Sequence, residues 1–289
     1  MKYSVRHQTR YTYSDLVSMS YNRLHSKPRK CPRQSFGEAR LTIDPEPAFL
    51  HPQTDFFGNP VTFFTVQKPH RELDVVVFFE AEVEARTVED VSDSWESVAE
   101  TLSLPNTPET LDASQFRFDS NWISRSAALT DFARASFGSR RPLLEGAREL
   151  CSRIFEEFTF DNSATTLATP LEEVLRHRRG VCQDFAHLAI ASMRGLGLAA
   201  RYVSGYLLTM PPAGQERLQG ADASHAWISV WAPPHGWVDL DPTNDCVVSD
   251  QHVTLAWGRD FHDVSPLRGV MLGGGSQSVR VGVDVLPLR

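Results

Sequence analysis

Cys182 is a residue whose type and position suggest chemistry. It lies two residues after Gly180, at the start of the helix-forming run VCQDFAHLAIASMRGLG (residues 181–197). A cysteine inside a helix is usually a small buried apolar residue, whereas a thiol in the first helical turn is close to free backbone N–H groups that favour the thiolate. Position alone leaves both interpretations open, because a nucleophilic thiol also needs a base.

A base is available in SHAWISVWA (residues 224–232), which alternates like a strand. Successive side chains in a strand point to opposite faces, so His225 is expected to share a face with Trp227. Most single histidines in such positions are structural. His187 is an example, because it follows Cys182 by five residues and therefore points about 140° away around the helix. We expect it only to pack.

A third polar group follows in GWVDLDPTND (residues 236–245). Strand alternation places Trp237, Asp239 and Asp241 on one face, so periodicity does not choose between the two carboxylates. Asp241 ends the strand, because Pro242 lacks the N–H that would continue the ladder, and it is the better placed to reach a histidine on a neighbouring strand. The other interpretation of Asp241 is that it only initiates the Asp-Pro turn.

Together these residues supply the groups that nucleophilic acyl transfer requires. A thiolate attacks, a histidine relays the proton and a carboxylate orients the histidine. Gln183 follows the nucleophile and is a candidate oxyanion or substrate donor, although a solvent-facing helix residue is an equally good interpretation. Trp227 and Trp237 are candidates for the walls of a substrate cleft, or they only pack on the sheet.

Two other interpretations concern charge and metal. A zinc site built from Cys182, His225, His235 and Cys246 is disfavoured, because no two of these residues have a close ligand spacing such as CxxC or HxxxH. We therefore predict no metal and no cofactor. The basic run RHRR (residues 176–179) is most simply a helix C-terminus whose cations satisfy the helix dipole, and the alternative is a positive potential beside the Cys182 thiol.

The composition excludes several classes of function. The chain has 289 residues, of which 41% are hydrophobic and 22% charged, as in ordinary globular proteins. Its net charge of −7 argues against nucleic acid as the main partner. No segment resembles a signal peptide or a membrane span, and the four cysteines are widely spaced, so we expect a cytoplasmic protein that does not bind membranes. The oligomeric state is not predicted.

Residues 1–90 are predicted to form an all-β sandwich or barrel. The segments YSVRHQTRYTY (3–13) and EARLTID (38–44) have the pattern of strands, and two further β-rich runs surround the turn signals GNP and KPH. We group residues 91–289 as a second, α+β part that includes the C-terminal strands.

Helical spacing begins near residue 91. Helices are predicted in SDSWESVAETL, ISRSAALTDFARASF, RPLLEGARELCSRIFEEF and PLEEVLRHRR, the last ended by Gly180, with a linker at residues 104–109. The helix that follows is expected to bury a single apolar stripe, formed by Val181, Phe185, Leu188, Ser192 and Leu196. Three strands and a C-terminal region of strand and loop complete the chain.

Several segments resemble a known family. RRGVCQDFAHL, ARYVSGYL, HAWISVW and GWVDLDPTN resemble, in order and spacing, the core of the bacterial transglutaminase-like superfamily, as does GRDFHDVSPLRGV nearer the C-terminus. HQTRYTY and DFFGN resemble the β-rich domain that precedes this core in bacterial members. The resemblance implies a papain-like α+β core, in which the helix carrying the cysteine packs on an antiparallel sheet. It also implies a catalytic triad of Cys182, His225 and Asp241, and so favours Asp241 over Asp239.

The implied activity is acyl transfer or hydrolysis at carboxamide or peptide carbonyls of protein or peptide substrates, through a thioester. The choice between amine and water as acceptor depends on how well the cleft excludes water, which the sequence does not tell. The alternative function is a non-catalytic scaffold for protein binding. Ala199 replaces a proline common in the family, and Cys246 replaces a small polar residue or glycine, but neither departure removes a triad residue.

Overall fold

The computed structural model of the chain describes residues 1–89, 91–208 and 224–288, which form fifteen strands and seven α-helices. The strands are β1 (Lys2–Leu24), β2 (Gln34–Phe36), β3 (Arg40–Asp44), β4 (Phe49–Thr54), β5 (Pro60–Val66), β6 (His70–Val83), β7 (Thr159–Phe160), β8 (Arg179–Gly180), β9 (Ala200–Leu207), β10 (Ser224–Trp231), β11 (Trp237–Asp241), β12 (Cys246–Val247), β13 (His252–Gly258), β14 (Leu267–Gly273) and β15 (Gln277–Leu288). The helices are α1 (Trp95–Ser103), α2 (Pro108–Ser114), α3 (Ala127–Arg134), α4 (Leu143–Glu157), α5 (Leu171–His177), α6 (Cys182–Gly195) and α7 (Phe261–Val264). The expected α+β class is confirmed.

The first sheet is built around the long strand β1. Its order is β2-β6-β1-β5-β4, with β3 also pairing with β6, and all of its pairs are antiparallel. Residues 2–12 of β1 pair with β6, and residues 20–24 pair with β5. The expected alternation holds in the first half of β1, where Tyr3, Val5, His7 and Thr9 are all buried.

The C-terminal strands β14 and β15 belong to this first sheet. β15 pairs with residues 2–13 of β1 and β14 with residues 17–24. The sequence grouped these strands with the second part of the chain, because a strand's own residues do not reveal a partner more than 240 positions away. As a result, both ends of the chain contribute to one sheet.

The second sheet has the order β12-β11-β10-β9-β13 and is antiparallel throughout. Helix α6 packs on β9 and β10, while α3, α4 and α5 also contact α6. Every residue of α6 from Asp184 to Arg194 is therefore buried. The prediction of a single buried stripe was too narrow, since the other helices cover the face that an amphipathic surface helix would expose.

Two helix boundaries differ from the sequence expectation. The predicted linker at residues 104–109 overlaps α2, which Thr107 begins with a capping box. Helix α5 ends at His177 rather than at Gly180, because Arg178 adopts a left-handed backbone with φ of 54°. The side chain of Arg178 forms an ion pair with Glu157 at 2.9 Å.

Arg194, at the end of α6, is fully buried and is satisfied by oxygen atoms from three parts of the chain. Its guanidinium donates to the backbone carbonyls of Phe116, Phe118, Ala200 and Arg259 and to the Ser120 hydroxyl, at 2.7–3.3 Å. Hydrogen bonds of this kind compensate the desolvation of a buried charge. Arg194 therefore connects the end of α6 to the segments around it.

None of the helices in the described part of the chain has the length and apolar character needed to cross a bilayer.

Two buried histidines hold the packing together as neutral side chains. His7 of β1 is 2.6 Å from the hydroxyl of Tyr206 in β9, so it joins the two sheets. His187 accepts the backbone N–H of Phe261 at 3.1 Å, and it packs as expected. Burial lowers the pKa of each of these histidines to about 4.

This protonation pattern predicts acid destabilisation below neutral pH. In the unfolded chain both histidines titrate near their ordinary pKa of about 6.5, so between pH 6.5 and 4 the unfolded state binds more protons than the folded state. Stability should therefore fall as pH drops through this window, by about 1.4 kcal/mol per pH unit for each histidine. Urea unfolding at intervals between pH 7.5 and 4.5 measures the slope.

A matched variant identifies the source of the slope. His187→Gln keeps an acceptor for the Phe261 N–H but does not titrate, so its stability should depend less steeply on pH. A wild-type free energy of unfolding that stays constant from pH 6.5 to 4.5 would contradict the assignment.

Candidate active site

The carboxylate of Asp241 lies at the end of β11 and is completely buried. Its Oδ1 accepts the backbone N–H groups of Thr243 at 2.9 Å and Asn244 at 3.2 Å. Its Oδ2 accepts from the side chains of His225 at 2.7 Å, Asn244 at 2.7 Å and His252 at 3.1 Å. Burial alone would raise the pKa of Asp241, but the hydrogen bonds from the two histidines outweigh it and hold this pKa well below its usual range. Asp241 is therefore ionised, and its negative charge stabilises a cation beside it.

His225, the second residue of β10, is the cation that this carboxylate favours. Its Nε2–H donates to Asp241, which leaves Nδ1 as the ring nitrogen available to the Cys182 thiol. Burial would lower the pKa of His225, but hydrogen bonds with Asp241 and Cys182 outweigh it and raise that pKa to about 10. The imidazole is thus held in one orientation and favoured as imidazolium.

The start of α6 is shaped so that Cys182 occupies its first position. Asp184 is buried, and its Oδ2 accepts the Val181 backbone N–H at 2.9 Å and the Thr165 hydroxyl at 2.6 Å. A side chain at Gly180 would collide with Asp184, since a Cβ there would lie 2.7 Å from Oδ2. Glycine two residues before Cys182 therefore lets Asp184 fold back and close the turn. Cys182 itself is only partly buried.

The structure brings Cys182, His225 and Asp241 together, and it adds two residues that the sequence analysis missed. Asn244 donates to Asp241 and lies 3.3 Å from His225 Nε2. Its position three residues after Asp241 in a turn was a usable signal, because such turns fold side chains back on an aspartate. His252 begins β13, at the opposite edge of the sheet order from β12, and nothing local in the sequence pointed to it.

The other three predicted site residues have different positions, and only one of them lies in the cleft. Trp227 is fully buried, and its ring packs edge-on against His252, with the ring centres 5.2 Å apart. It therefore supports His252 by packing and has no exposed surface for a substrate. Trp237 lines a different cavity together with His235 and Asp239. Gln183 lies in the cleft beside Cys182.

The cleft at Cys182 has a volume of about 380 Å³ and is walled by both sheets. The second sheet and α6 contribute Cys182 and His225, while β1 contributes Tyr11 and β15 contributes Val279 and Val281. Cavities of about 850 and 1000 Å³ lie elsewhere on the protein. The smaller cleft is the candidate active site because it contains the thiol and the histidine.

The charged groups near the cleft also bear on the alternatives. Among the described residues, one His/Cys/Asp/Glu group with the spacing of metal ligands is His225, Asp241 and His252, whose atoms lie within 4.8 Å of one another. A metal ion there would require both histidines to lose the protons that they donate to Asp241. In the basic run, Arg178 pairs with Glu157 and Arg179 with Asp161, so carboxylates neutralise these cations.

The geometry predicts selective alkylation of Cys182. All four cysteines are free thiols. Cys246 is exposed as a residue, but partial burial of its thiol and the nearby carboxylates of Asp241 and Asp245 raise the pKa of that thiol to about 11. The pKa of His225 is raised to about 10, so an imidazolium lies beside Cys182 from acid pH up to about that value. A cation next to a cysteine increases its reactivity. Iodoacetamide should therefore label Cys182 faster than Cys246 at every pH from 6 to 9, as measured by peptide mass spectrometry.

His225→Gln provides the control, since it removes the imidazolium without opening a large cavity. In that variant the rate at Cys182 should fall at pH 6 and rise steeply with pH. Equal rates at Cys182 and Cys246 in the wild type at pH 6 would refute the interpretation.

Comparison with known proteins supplies the family. Models of the bacterial transglutaminase-like N-terminal region and of the transglutaminase-like superfamily match residues 3–84 and 130–242. An uncharacterised protein of Mycobacterium tuberculosis is 43% identical over 306 residues, which cover 100% of this chain and 93% of that protein. The protein-glutamine gamma-glutamyltransferase of Pseudomonas aeruginosa is 29% identical over 119 residues, which cover 38% of this chain and 18% of that protein.

A crystal structure from Cytophaga hutchinsonii, provisionally assigned as a cysteine protease, shares the fold. It superposes with a TM-score of 0.75 at 19% identity and covers 100% of this chain and 92% of that one. The two matching family models, the relative that spans the whole chain and this common fold agree. The chain belongs to the transglutaminase-like superfamily.

Proposed function

We propose that the protein catalyses cysteine-dependent acyl transfer or hydrolysis at carboxamide or peptide carbonyls of protein or peptide substrates. The observation that carries this proposal is the hydrogen-bonded series Cys182, His225, Asp241 at the wall of the cleft. The partly exposed thiol is beside a histidine whose pKa is raised to about 10, and the histidine is held by a buried carboxylate. His225 and Asp241 thus have the charged states that relaying a proton and orienting the imidazole require.

In the first half of the reaction, the Cys182 thiolate attacks the carbonyl carbon of the substrate. The carbonyl π electrons move to oxygen, where the backbone N–H groups at the start of α6 stabilise the oxyanion, because the first N–H groups of a helix have no partners within it. When the intermediate collapses, the C–N bond breaks and the leaving nitrogen takes a proton from the His225 imidazolium. Ammonia or an amine departs and a thioester remains on Cys182.

In the second half, neutral His225 accepts a proton from the incoming nucleophile as it attacks the thioester. The C–S bond breaks and Cys182 leaves as the thiolate, which restores the ion pair with the imidazolium. Water as nucleophile yields a carboxylic acid, and a primary amine yields a new amide. Asp241 stabilises the imidazolium in both halves.

The acceptor is the open part of the proposal. The Pseudomonas relative is named as a glutamyltransferase and the Cytophaga structure as a protease. The names of similar proteins therefore include both transfer to an amine and hydrolysis by water. The distribution of lysines favours an amine as the acceptor. An enzyme that transfers acyl groups to lysine amines risks cross-linking itself, and all four lysines, Lys2, Lys27, Lys30 and Lys68, lie within the first 68 residues, outside the part that carries Cys182. An arginine-rich genome composition would produce the same distribution.

The alternative function is a scaffold that uses this fold for protein binding without catalysis. A scaffold has no need for a thiol paired with a charged histidine. The buried Asp241 and its donors would then serve only the fold. Substitution of Cys182 separates the two functions, because a partly exposed cysteine contributes little to packing.

The central prediction concerns Cys182→Ala. The wild type, incubated with a glutamine-containing protein and a labelled alkylamine, should release ammonia and incorporate the amine, or should release ammonia or cleave peptide bonds without incorporation. The variant should do neither while keeping its thermal unfolding temperature. Incorporation is measured by label retained on the protein, ammonia by an enzymatic assay and cleavage by mass spectrometry.

Each outcome has a defined meaning. Incorporation that depends on Cys182 supports transferase chemistry, and deamidation or cleavage without incorporation at high amine concentration supports a hydrolase. Activity that survives in Cys182→Ala would overturn the proposal.

A second prediction distinguishes the two aspartates of β11. Asp241→Asn should lower kcat by about 10³- to 10⁴-fold, because the amide no longer stabilises the imidazolium. Asp239→Asn should change kcat by less than about threefold, since Asp239 lines a different cavity and forms an ion pair with Arg33 at 3.6 Å, and a partly exposed pair of this kind contributes little. Steady-state kinetics on the substrate found above gives both values, and equal losses would show that the assignment of Asp241 is mistaken.

A further inference from the structure

A second cavity of about 850 Å³, which we call the arginine cavity, lies between the first part of the chain and the second sheet. Its lining includes four arginines, Arg29, Arg33, Arg86 and Arg201. The proposed acyl-transfer chemistry uses none of them. The four guanidinium groups differ in their hydrogen-bond and ion-pair partners, and this difference is the basis of the inference below.

Arg201 of β9 is only 7% exposed. Its guanidinium carbon lies 3.8 Å from the ring centre of Trp257 and 4.1 Å from that of Trp237. Within the described part of the chain its guanidinium makes no hydrogen bond or ion pair, and its buried Nε has no acceptor. Burial lowers the pKa of Arg201 to about 9, although the carboxylates of Asp239 and Asp112 act in the opposite direction. Neither carboxylate lies within ion-pair distance of the guanidinium, so the charged form has lost water without an anion in contact with it.

Arg194 shows what a purely structural buried arginine looks like in the same protein. It is also buried, but its guanidinium donates to carbonyl and hydroxyl oxygens at 2.7–3.3 Å. Buried polar groups are almost always satisfied in this way. Arg201 departs from that pattern, and it does so at the wall of a cavity.

Arg29 repeats part of this arrangement. It is 8% exposed, and its guanidinium carbon lies 3.1 Å from the ring centre of Trp257. One of its nitrogens donates to the carbonyl of Phe57 at 3.0 Å and to the Asn59 side chain, while its Nε has no acceptor among the described residues. Two buried guanidinium groups therefore carry unused donors around one indole ring.

The remaining charges leave the lining positive. Arg33 is paired with Asp239 at 3.6 Å, and Arg86 donates to the backbone carbonyls of Trp237 and His235 at 3.0 and 3.2 Å. Asp112 and Asp239 are the carboxylates of the lining, against four guanidinium groups. This local excess lies in a chain of net charge −7, which would repel a long polyanion but not a small anion.

We propose that the arginine cavity binds a small organic anion, a carboxylate or a phosphate attached to a flat apolar body. The guanidinium fork of Arg201 matches the oxygen atoms of either group. The aromatic rings of Phe57 and Phe116 line the same cavity and provide surfaces for the apolar body. A volume of this size is typical of cavities for small molecules.

This site is separate from the cleft at Cys182. Arg201 pairs with Ser229, four residues along β10 from His225, which corresponds to roughly 13 Å along the strand. The fully buried Trp227 lies between the two positions on the same face. Anion binding is therefore expected to be the same in Cys182→Ala as in the wild type.

Isothermal titration calorimetry on the full chain tests the proposal with 2-naphthoate, 2-naphthyl phosphate and the neutral 2-naphthamide. At least one of the two anions should bind about tenfold or more tightly than the amide, the difference expected from a hydrogen bond to a charged group. The ranking of the two anions tells a carboxylate site from a phosphate site. Arg201→Gln should abolish the preference for anions. Arg10→Gln is the control, because Arg10 is an exposed arginine of β1 that pairs with Asp74 of β6, and this variant should retain the preference.

Arg33→Gln provides a second variant should Arg201→Gln fail to fold. Without Arg33, the charge of Asp239 is no longer neutralised and should repel the anion, so affinity for both anions should fall while that for the amide stays constant. Equal binding of anions and amide, a preference that survives Arg201→Gln, or no binding of either anion at millimolar concentration would each overturn the proposal.

Discussion

The completely buried carboxylate of Asp241 is the constraint on which the candidate site depends. A charge without water must receive hydrogen bonds from the protein, and here the donors come from the turn after β11, from β10 and from β13. Meeting that requirement fixes three strands relative to one another. It also fixes the His225 ring, because one of its nitrogens is committed to Asp241 and the other is left to Cys182.

The two sheets are joined by packing that also forms the cleft. β1 pairs with both C-terminal strands, and His7 reaches from β1 to Tyr206 of the second sheet. The wall opposite Cys182 is thus made from the first and last parts of the chain, through Tyr11, Val279 and Val281. The first sheet therefore contributes directly to the shape of the cleft.

Two buried arginines, Arg194 and Arg201, have different surroundings. Arg194 is surrounded by acceptors and stabilises the junction at the end of α6. Arg201 is held instead by the faces of two tryptophans. Cation–π contacts compensate part of the lost hydration, but they do not engage the Nε–H group, which has no acceptor among the described residues.

The sequence by itself determined the local parts of this protein. Helix-start chemistry placed Cys182 at the first position of α6, strand alternation set the face of His225, and Pro242 ended the strand at Asp241, because each depends on residues within a few positions. Only the tertiary structure decided that β14 and β15 pair with β1, that α6 is enclosed by the second sheet together with three helices, and that His252 joins Asp241. It also separated Trp237 and Asp239 from the cleft, although alternation gave them the same face as Asp241. Period-two patterning tells which way a side chain points, but how far along the strand it lies from a partner, and which distant strand supplies that partner, depends on pairing between segments that are remote in the chain.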